Sequence, residues 1–195
     1  MSTLHVENLK GLSSGGNANK IIVPSGQTLD ASNGFTAPAG HVIQVTQSTL
    51  GSRPNSQSSS YVDSGLATTI TPKFSTSKIL VRCNFLFSQS KSPAQHQDNM
   101  KAFTIYRGST NIAPHNSAFI YHQNEVGSGH TSDFQEQTEN VALEILDSPA
   151  TTSATTYSMR YKNDNPSYVT VVINGRGHGS GYEGSCIITA MEIAQ

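Results

Sequence analysis

Residues 77–88 read "SKILVRCNFLFS". Ile79, Val81, Cys83, Phe85 and Phe87 fall on one parity, with Leu80, Arg82, Asn84 and Leu86 on the other. A two-residue period over so long a run belongs to a β-strand, whose side chains point alternately to opposite faces. One face is wholly apolar. The other mixes two leucines with two polar residues, so the strand is expected to be covered on both sides, on one of them only in part.

The same period recurs on either side of this run. "TTYSMRYKN" (155–163) sets Tyr157, Met159 and Tyr161 against Ser158, Arg160 and Lys162. "NVALEILDS" (140–148) turns Val141, Leu143 and Ile145 inward and Glu144 outward, and "SYVTVVING" (167–175) aligns Val169, Val171 and Ile173. Runs at 41–49, 60–72, 101–108, 117–124 and 185–194 complete a set of nine expected strands. Clusters of Gly, Pro, Asn and Ser separate them, which is the punctuation of an all-β chain. "YRGSTNIA" (106–113) reads as a tight hairpin tip. The loops at 126–133 and 174–185 are the longest, and their polarity predicts that they cluster at the ends of the fold. The best helical candidate, "DFQEQTENVALEIL" (133–146), fits a strand equally well in its apolar half. These patterns predict an all-β fold over residues 41–195, an antiparallel two-sheet sandwich of jelly-roll type.

Residues 1–40 differ. Gly15 to Gly40 read "GGNANKIIVPSGQTLDASNGFTAPAG", with a single apolar run, Ile21-Ile22-Val23, stopped by Pro24. One short strand is expected there, too short to stand alone. The segment is too polar to build a core and carries no charge block. It reads as an extended N-terminal arm that docks on another chain, with Val6, Leu9, Ile21, Ile22, Val23 and Leu29 as the contacts. A disordered tail is the alternative.

Only 13% of the 195 residues are charged and the formal net charge is −1. No basic stripe offers a nucleic-acid footprint, and weak self-repulsion favours assembly. No apolar run approaches the ~20 residues of a membrane-spanning helix. "MSTLHVENLKG" lacks a charged start followed by an apolar stretch, so synthesis and folding in a cytosol are expected. Cys83 and Cys186 then read as free buried thiols in strands, with a disulfide between them as the alternative.

Chemical motifs are sparse. Gly179, Gly181 and Gly184 match a dinucleotide fingerprint in letters, yet they lead into a strand instead of opening a helix, so they read as a glycine-rich turn using positive φ. His5, His41, His96, His115, His122, His130 and His178 form no local ligand pair, and surface histidine is the expectation; an ion on a symmetry axis near His178 and Glu183 is the alternative. Asp133, Glu136, Glu139 and Glu144 read as a solvated strand edge, not as the opposed pair that glycoside hydrolysis needs. Ser180 lacks the spacing of a nucleophile elbow. No catalytic residue, cofactor or metal site is expected. Tyr106, Tyr121, Tyr168 and Tyr182 fall at strand ends or in loops, where rings stack on sugars, fill an interface or simply cap a strand.

Two stretches carry a resemblance. "LDSPATTSATTYSMRYK", "VTVVINGRG" and "SCIITAMEIAQ" in the C-terminal part, with "MSTLHVENLKG" and "KIIVPSGQTLD" at the start, resemble virion structural proteins of tailed phages of marine bacteria, often labelled tail-fibre-like. The resemblance covers residues 60–195 and, more loosely, the start. It implies a jelly-roll head similar to tumour-necrosis-factor-like trimers, preceded by a thin attachment segment. The expected function is then a homotrimeric capsid decoration, cement or short head-fibre protein. It would sit on the virion surface after synthesis in the bacterial cytoplasm, held by its arm on the major capsid protein or another virion structural protein. The alternative is a tail-fibre-like adhesin whose loops at 89–100, 126–133 and 174–184 grip a host glycan or protein, with His96, His130, Arg176, His178 and Tyr182 facing the ligand. A free sugar-binding module, or a hydrolase on the same sandwich, is the third reading. No nucleic-acid or membrane partner is expected.

Overall fold

The computed structural model describes residues 10–11, 13–18, 20–28, 37–91, 99–114, 118–124, 135–164, 167, 169–176 and 183–195. The chain divides into two units, Met1–Thr36 and Ala37–Gln195.

The second unit is all-β, with two antiparallel sheets in a jelly-roll-like sandwich. Its strands are β1 (Val42–Thr49), β2 (Asn55–Ser56), β3 (Val62–Ile70), β4 (Lys78–Lys91), β5 (Asn99–Arg107) and β6 (Thr110–Asn111). They continue with β7 (Ile120–Asn124), β8 (Gln135–Asp147), β9 (Thr155–Asn163), β10 (Val169–Ile173) and β11 (Ile187–Ile193). Each of the nine runs read from the sequence forms a strand. β2 and β6 are two-residue additions.

The first sheet is organised by β4. Along one edge β4 pairs β8 over its full length, from Ile79↔Asp147 to Lys91↔Gln135. Along the other it pairs two strands end to end: β11 from Lys78 to Asn84, and β10 from Phe87 to Lys91. β1 extends the sheet beyond β11, and β2 beyond β10. The second sheet runs β3-β9-β5, with β6 and β7 sharing the far edge of β5. The β5–β6 turn has Gly108 at φ 57, opposite Thr156 across the strand end. A glycine with positive φ at the first turn position suits the twist of a two-residue hairpin.

The inner faces make one core. Ile79, Val81, Cys83, Phe85 and Phe87 of β4 are all buried, as their shared parity predicts, and they meet Phe103, Ile105, Tyr157, Met159 and Tyr161 from the other sheet. The rings of Phe85 and Phe87 sit 5.0 and 4.8 Å from that of Phe103. Such tilted aromatic contacts add about 0.5–1.5 kcal/mol each beyond area burial. Cys83 and Cys186 are free and buried, and burial pushes both thiols up.

Candidate functional site

Within the first unit the described backbone forms turns and no strand. Ala18 N–H donates to Gly15 O at 3.0 Å, Lys20 to Asn17 at 3.1 Å and Gln27 to Pro24 at 3.0 Å. Gly11 lies against the Lys20 backbone, where a Cβ has no room. The short strand expected at Ile21-Ile22-Val23 is not formed, and among the described residues of this unit there is no strand for it to pair with. Their side chains are 56%, 55% and 42% exposed. Val6, Leu9 and Leu29 lie outside the described residues.

A second exposed apolar surface belongs to the sandwich. On the outer face of the first sheet, register aligns Val45, Met191, Leu80 and Leu146 in a row across β1, β11, β4 and β8. Val45 is 55% and Leu146 49% exposed. Ile193 and the exposed Val42 lie beside this row. The next row is polar: Gln47, Thr189, Arg82 and Glu144, the last two ion-paired at 2.7 Å. The sequence signals one of the four members of this row, Leu80, by its outer parity. The other members needed the strand order, which no local pattern carries.

The outer face of the second sheet carries aromatic residues and cations. The Arg160 guanidinium lies 4.1 Å from the Tyr106 ring centroid, and the Tyr61 and Tyr106 rings are 6.1 Å apart. Tyr106 is therefore stacked within β5, whereas Tyr121 in β7 is exposed. Burial, with smaller effects from Tyr121, Tyr106 and Asp164, raises the Tyr61 phenol. Tyr168 lies outside the described residues.

The loop between β10 and β11 leaves the fold in an unexpected place. Ile173 pairs Phe87 and Ile187 pairs Asn84, so residues 174–186 depart from and return to one edge of β4 near its middle. The expectation that this loop sits at an end of the sandwich is corrected, because β10 and β11 share a single pairing line. Asn174 forms the neck in the left-handed region at φ 61. Its N–H donates to Leu86 O at 2.8 Å, and its Nδ2 donates to Leu50 O at 2.9 Å and Ser52 O at 3.2 Å. Cys186 Sγ accepts the Leu86 N–H at 3.3 Å and lies 3.5 Å from Asn174 Oδ1. Among the described residues of this loop the positive φ falls on this asparagine, and Gly179 and Gly181 lie outside them. Gly175 and Gly184 serve instead as close approaches, to the Arg53 and Leu86 side chains. The Arg53 guanidinium also donates to the Arg176 carbonyl, and Arg176 is exposed. His178 and Tyr182 lie outside the described residues.

Two other connections do leave one end. Lys91 pairs both Gln135 and Val169, while Asn99 pairs Asn124. The segments 92–98 and 125–134 therefore start and finish at the same end of the sandwich. His96 and His130 fall in them, outside the described residues.

That end carries a polar group that is buried at Lys101 and half-buried at His122 and Glu139. His122 Nε2 meets Glu139 Oε2 at 2.6 Å, joining β7 of one sheet to β8 of the other. Lys101 of β5 is fully buried beside them. Burial lowers its ammonium to about 8, with the Glu139 charge opposing. The reading of Glu139 as part of a solvated strand edge, and of His122 as a surface histidine, is corrected in part: both sit on inward parities and pair across the sheets, while remaining half-buried. At the opposite end, Asp147 of β8 accepts from Arg107 Nη1 at 2.8 Å and from the Tyr157 hydroxyl at 2.7 Å, again across the sheets. Burial, then the bond to Asp147, raises that phenol. The missed residues had a signal. Lys101 shares parity with Phe103 and Ile105, which marks it as inward-facing.

No protein-family model and no curated protein matches this chain. Among the described residues no group of three or more His, Cys, Asp and Glu is placed to hold a metal ion.

Proposed function

We propose that this chain is a structural protein of a tailed-phage particle, a homotrimeric capsid decoration, cement or short head-fibre protein held by its N-terminal arm. The observation that carries the reading is the exposure of Ile21, Ile22 and Val23, three adjacent apolar residues on a segment made of turns. Each is about half exposed, so covering it recovers about half of the full burial term, roughly 1 kcal/mol per side chain, and a docking partner supplies that cover. The apolar row on the outer face of the first sheet adds a second surface suited to coverage by another chain. The resemblance of the two sequence stretches supplies the particle. Many copies, each bound weakly, would hold through multivalency.

Deleting residues 1–30 tests this. The truncated chain is expected to fold and to retain its oligomeric mass, but to be absent from particles. Full occupancy of particles by the truncated protein would refute the arm's role.

A receptor-binding adhesin is the second reading, favoured by the two connections that leave one end together. Copy number separates the two. Hundreds of copies per particle indicate decoration, and a few dozen or fewer indicate a tail location.

A further inference from the structure

One register row inside the sandwich is polar where the core would otherwise be apolar. It aligns His122 of β7, Lys101 of β5 and Asn163 of β9 on three adjacent strands. The row lies on the inward parity, next to Phe103 and Tyr161. Lys101 is 0% and Asn163 1% exposed. Glu139 enters from the facing sheet, and the Phe87 ring lies 5.1 Å from that of His122, walling the site with apolar surface.

Residues directly opposed on antiparallel strands have Cβ atoms about 4.5–5.5 Å apart. A lysine stem spans that gap. A primary amine and a primary carboxamide are thus confined together, out of water, on the two central strands of the second sheet. We propose that Lys101 and Asn163 join in an intramolecular isopeptide bond, a covalent rung between β5 and β9.

The step needs no outside reagent. The Nζ lone pair attacks Cγ of Asn163, and the carbonyl pair moves onto Oδ1. As that pair returns, the Cγ–Nδ2 bond breaks, and Nδ2 leaves as ammonia with a proton taken from Nζ. One amine and one primary amide become one secondary amide and one ammonia, with no change of oxidation state. Burial has already brought the Lys101 ammonium down to about 8, so about one amine in ten is neutral and nucleophilic at pH 7. The Glu139 carboxylate is the nearby group that takes the proton an ammonium must first lose, and its bond to His122 holds it in place. Asn163 Nδ2 donates to the Val169 carbonyl at 2.6 Å, which fixes the amide plane against β10. An unreacted Lys101 held by non-covalent contacts is the competing state.

Mass separates the two. The full-length protein, denatured and reduced, is expected to weigh less than its sequence requires by one ammonia, about 17 Da. A succinimide at Asn33-Gly34 or Asn174-Gly175 would lose the same mass, but mild base hydrolyses it, whereas the isopeptide survives. Lys101→Met and Asn163→Ala should each restore the full mass. Proteolysis and fragment sequencing of the wild-type chain should yield a branched peptide joining Lys101 to Asn163, which decides the matter even where a variant does not fold. A wild-type chain of full mass after base treatment overturns the proposal. A branch from Lys101 to any other carboxamide, such as Gln89, overturns the assignment of Asn163. Neither result bears on the particle role.

Discussion

Asn174 can be dissected by three substitutions that separate backbone strain from hydrogen bonding. Its side chain donates to two carbonyls, Leu50 O and Ser52 O, while its backbone holds a left-handed conformation. Asn174→Gly keeps the conformation and deletes the side chain. The two bonds contribute about 1 kcal/mol each, so with partial rehydration of the carbonyls a loss of about 2 kcal/mol is expected. Asn174→Ala loses the same bonds and adds about 1–2 kcal/mol of left-handed strain, offset in part because alanine is less flexible when unfolded. Its loss should be about 3 kcal/mol. Asn174→Asp keeps the shape but points a carboxylate at two carbonyl oxygens, and should be the worst, at about 4 kcal/mol. At about 2–4 °C per kcal/mol for a domain of this size, the series spans some 4–16 °C in melting temperature. The chain has no tryptophan, so calorimetry or circular dichroism in urea is the assay. Equal losses for glycine and alanine would remove the strain. A tolerated aspartate would refute the bonding at the neck.

Light scattering should give three times the 20.8 kDa chain mass, and a stable monomer would count against the proposed assembly. Replacing both Val45 and Leu146 with lysine should leave the fold within about 1 kcal/mol, since each is half-exposed, yet weaken association if the apolar row is covered by another chain; unchanged mass at low concentration would show that it is not. Asp147→Ala should cost about 2–3 kcal/mol, because Arg107 and Tyr157 lose a charged partner but Arg107 regains some water; denaturant titration reads it, and a loss below about 0.5 kcal/mol would refute a role for this tie between the sheets. Glu192 is buried, which alone would raise its carboxyl, but donors from Gln44, Phe74 N–H and Lys73 N–H outweigh this and hold it below the ordinary range. The unfolded chain therefore binds the proton first as pH falls, so this stabilisation is complete above the ordinary carboxylate range and drains away through and below it. Glu192→Gln should flatten the acid limb of the stability profile, and an unchanged limb would refute the assignment.

The sandwich was legible wherever side chains alternate strictly. β4 and β9 were readable residue by residue, because one face of each is sealed and a slip of one position would invert it. Strand ends were not. β8 begins at Gln135, not near Asn140, because the polar stretch 135–140 still pairs β4 although little of it is apolar. Strand order was also hidden. Nothing local states that β10 and β11 share one edge of β4, so the position of the 174–186 loop is not readable from the sequence. The inward placement of Lys101, Glu139 and His122 is masked by residue type, which points outward where parity points inward. Parity was the better guide, since each gains a partner or an apolar wall inside.

The shared edge of β4 has a use beyond the native chain. Residues 174–186 leave the sheet at Phe87 and rejoin it at Asn84, with the neck clamped by Asn174 and Cys186. Doubling the length of such a segment costs only about 0.6 kcal/mol in closure entropy. A foreign epitope or enzyme tag grafted there would be carried on the flank of the first sheet with its strands still in step, making this loop a natural port for display.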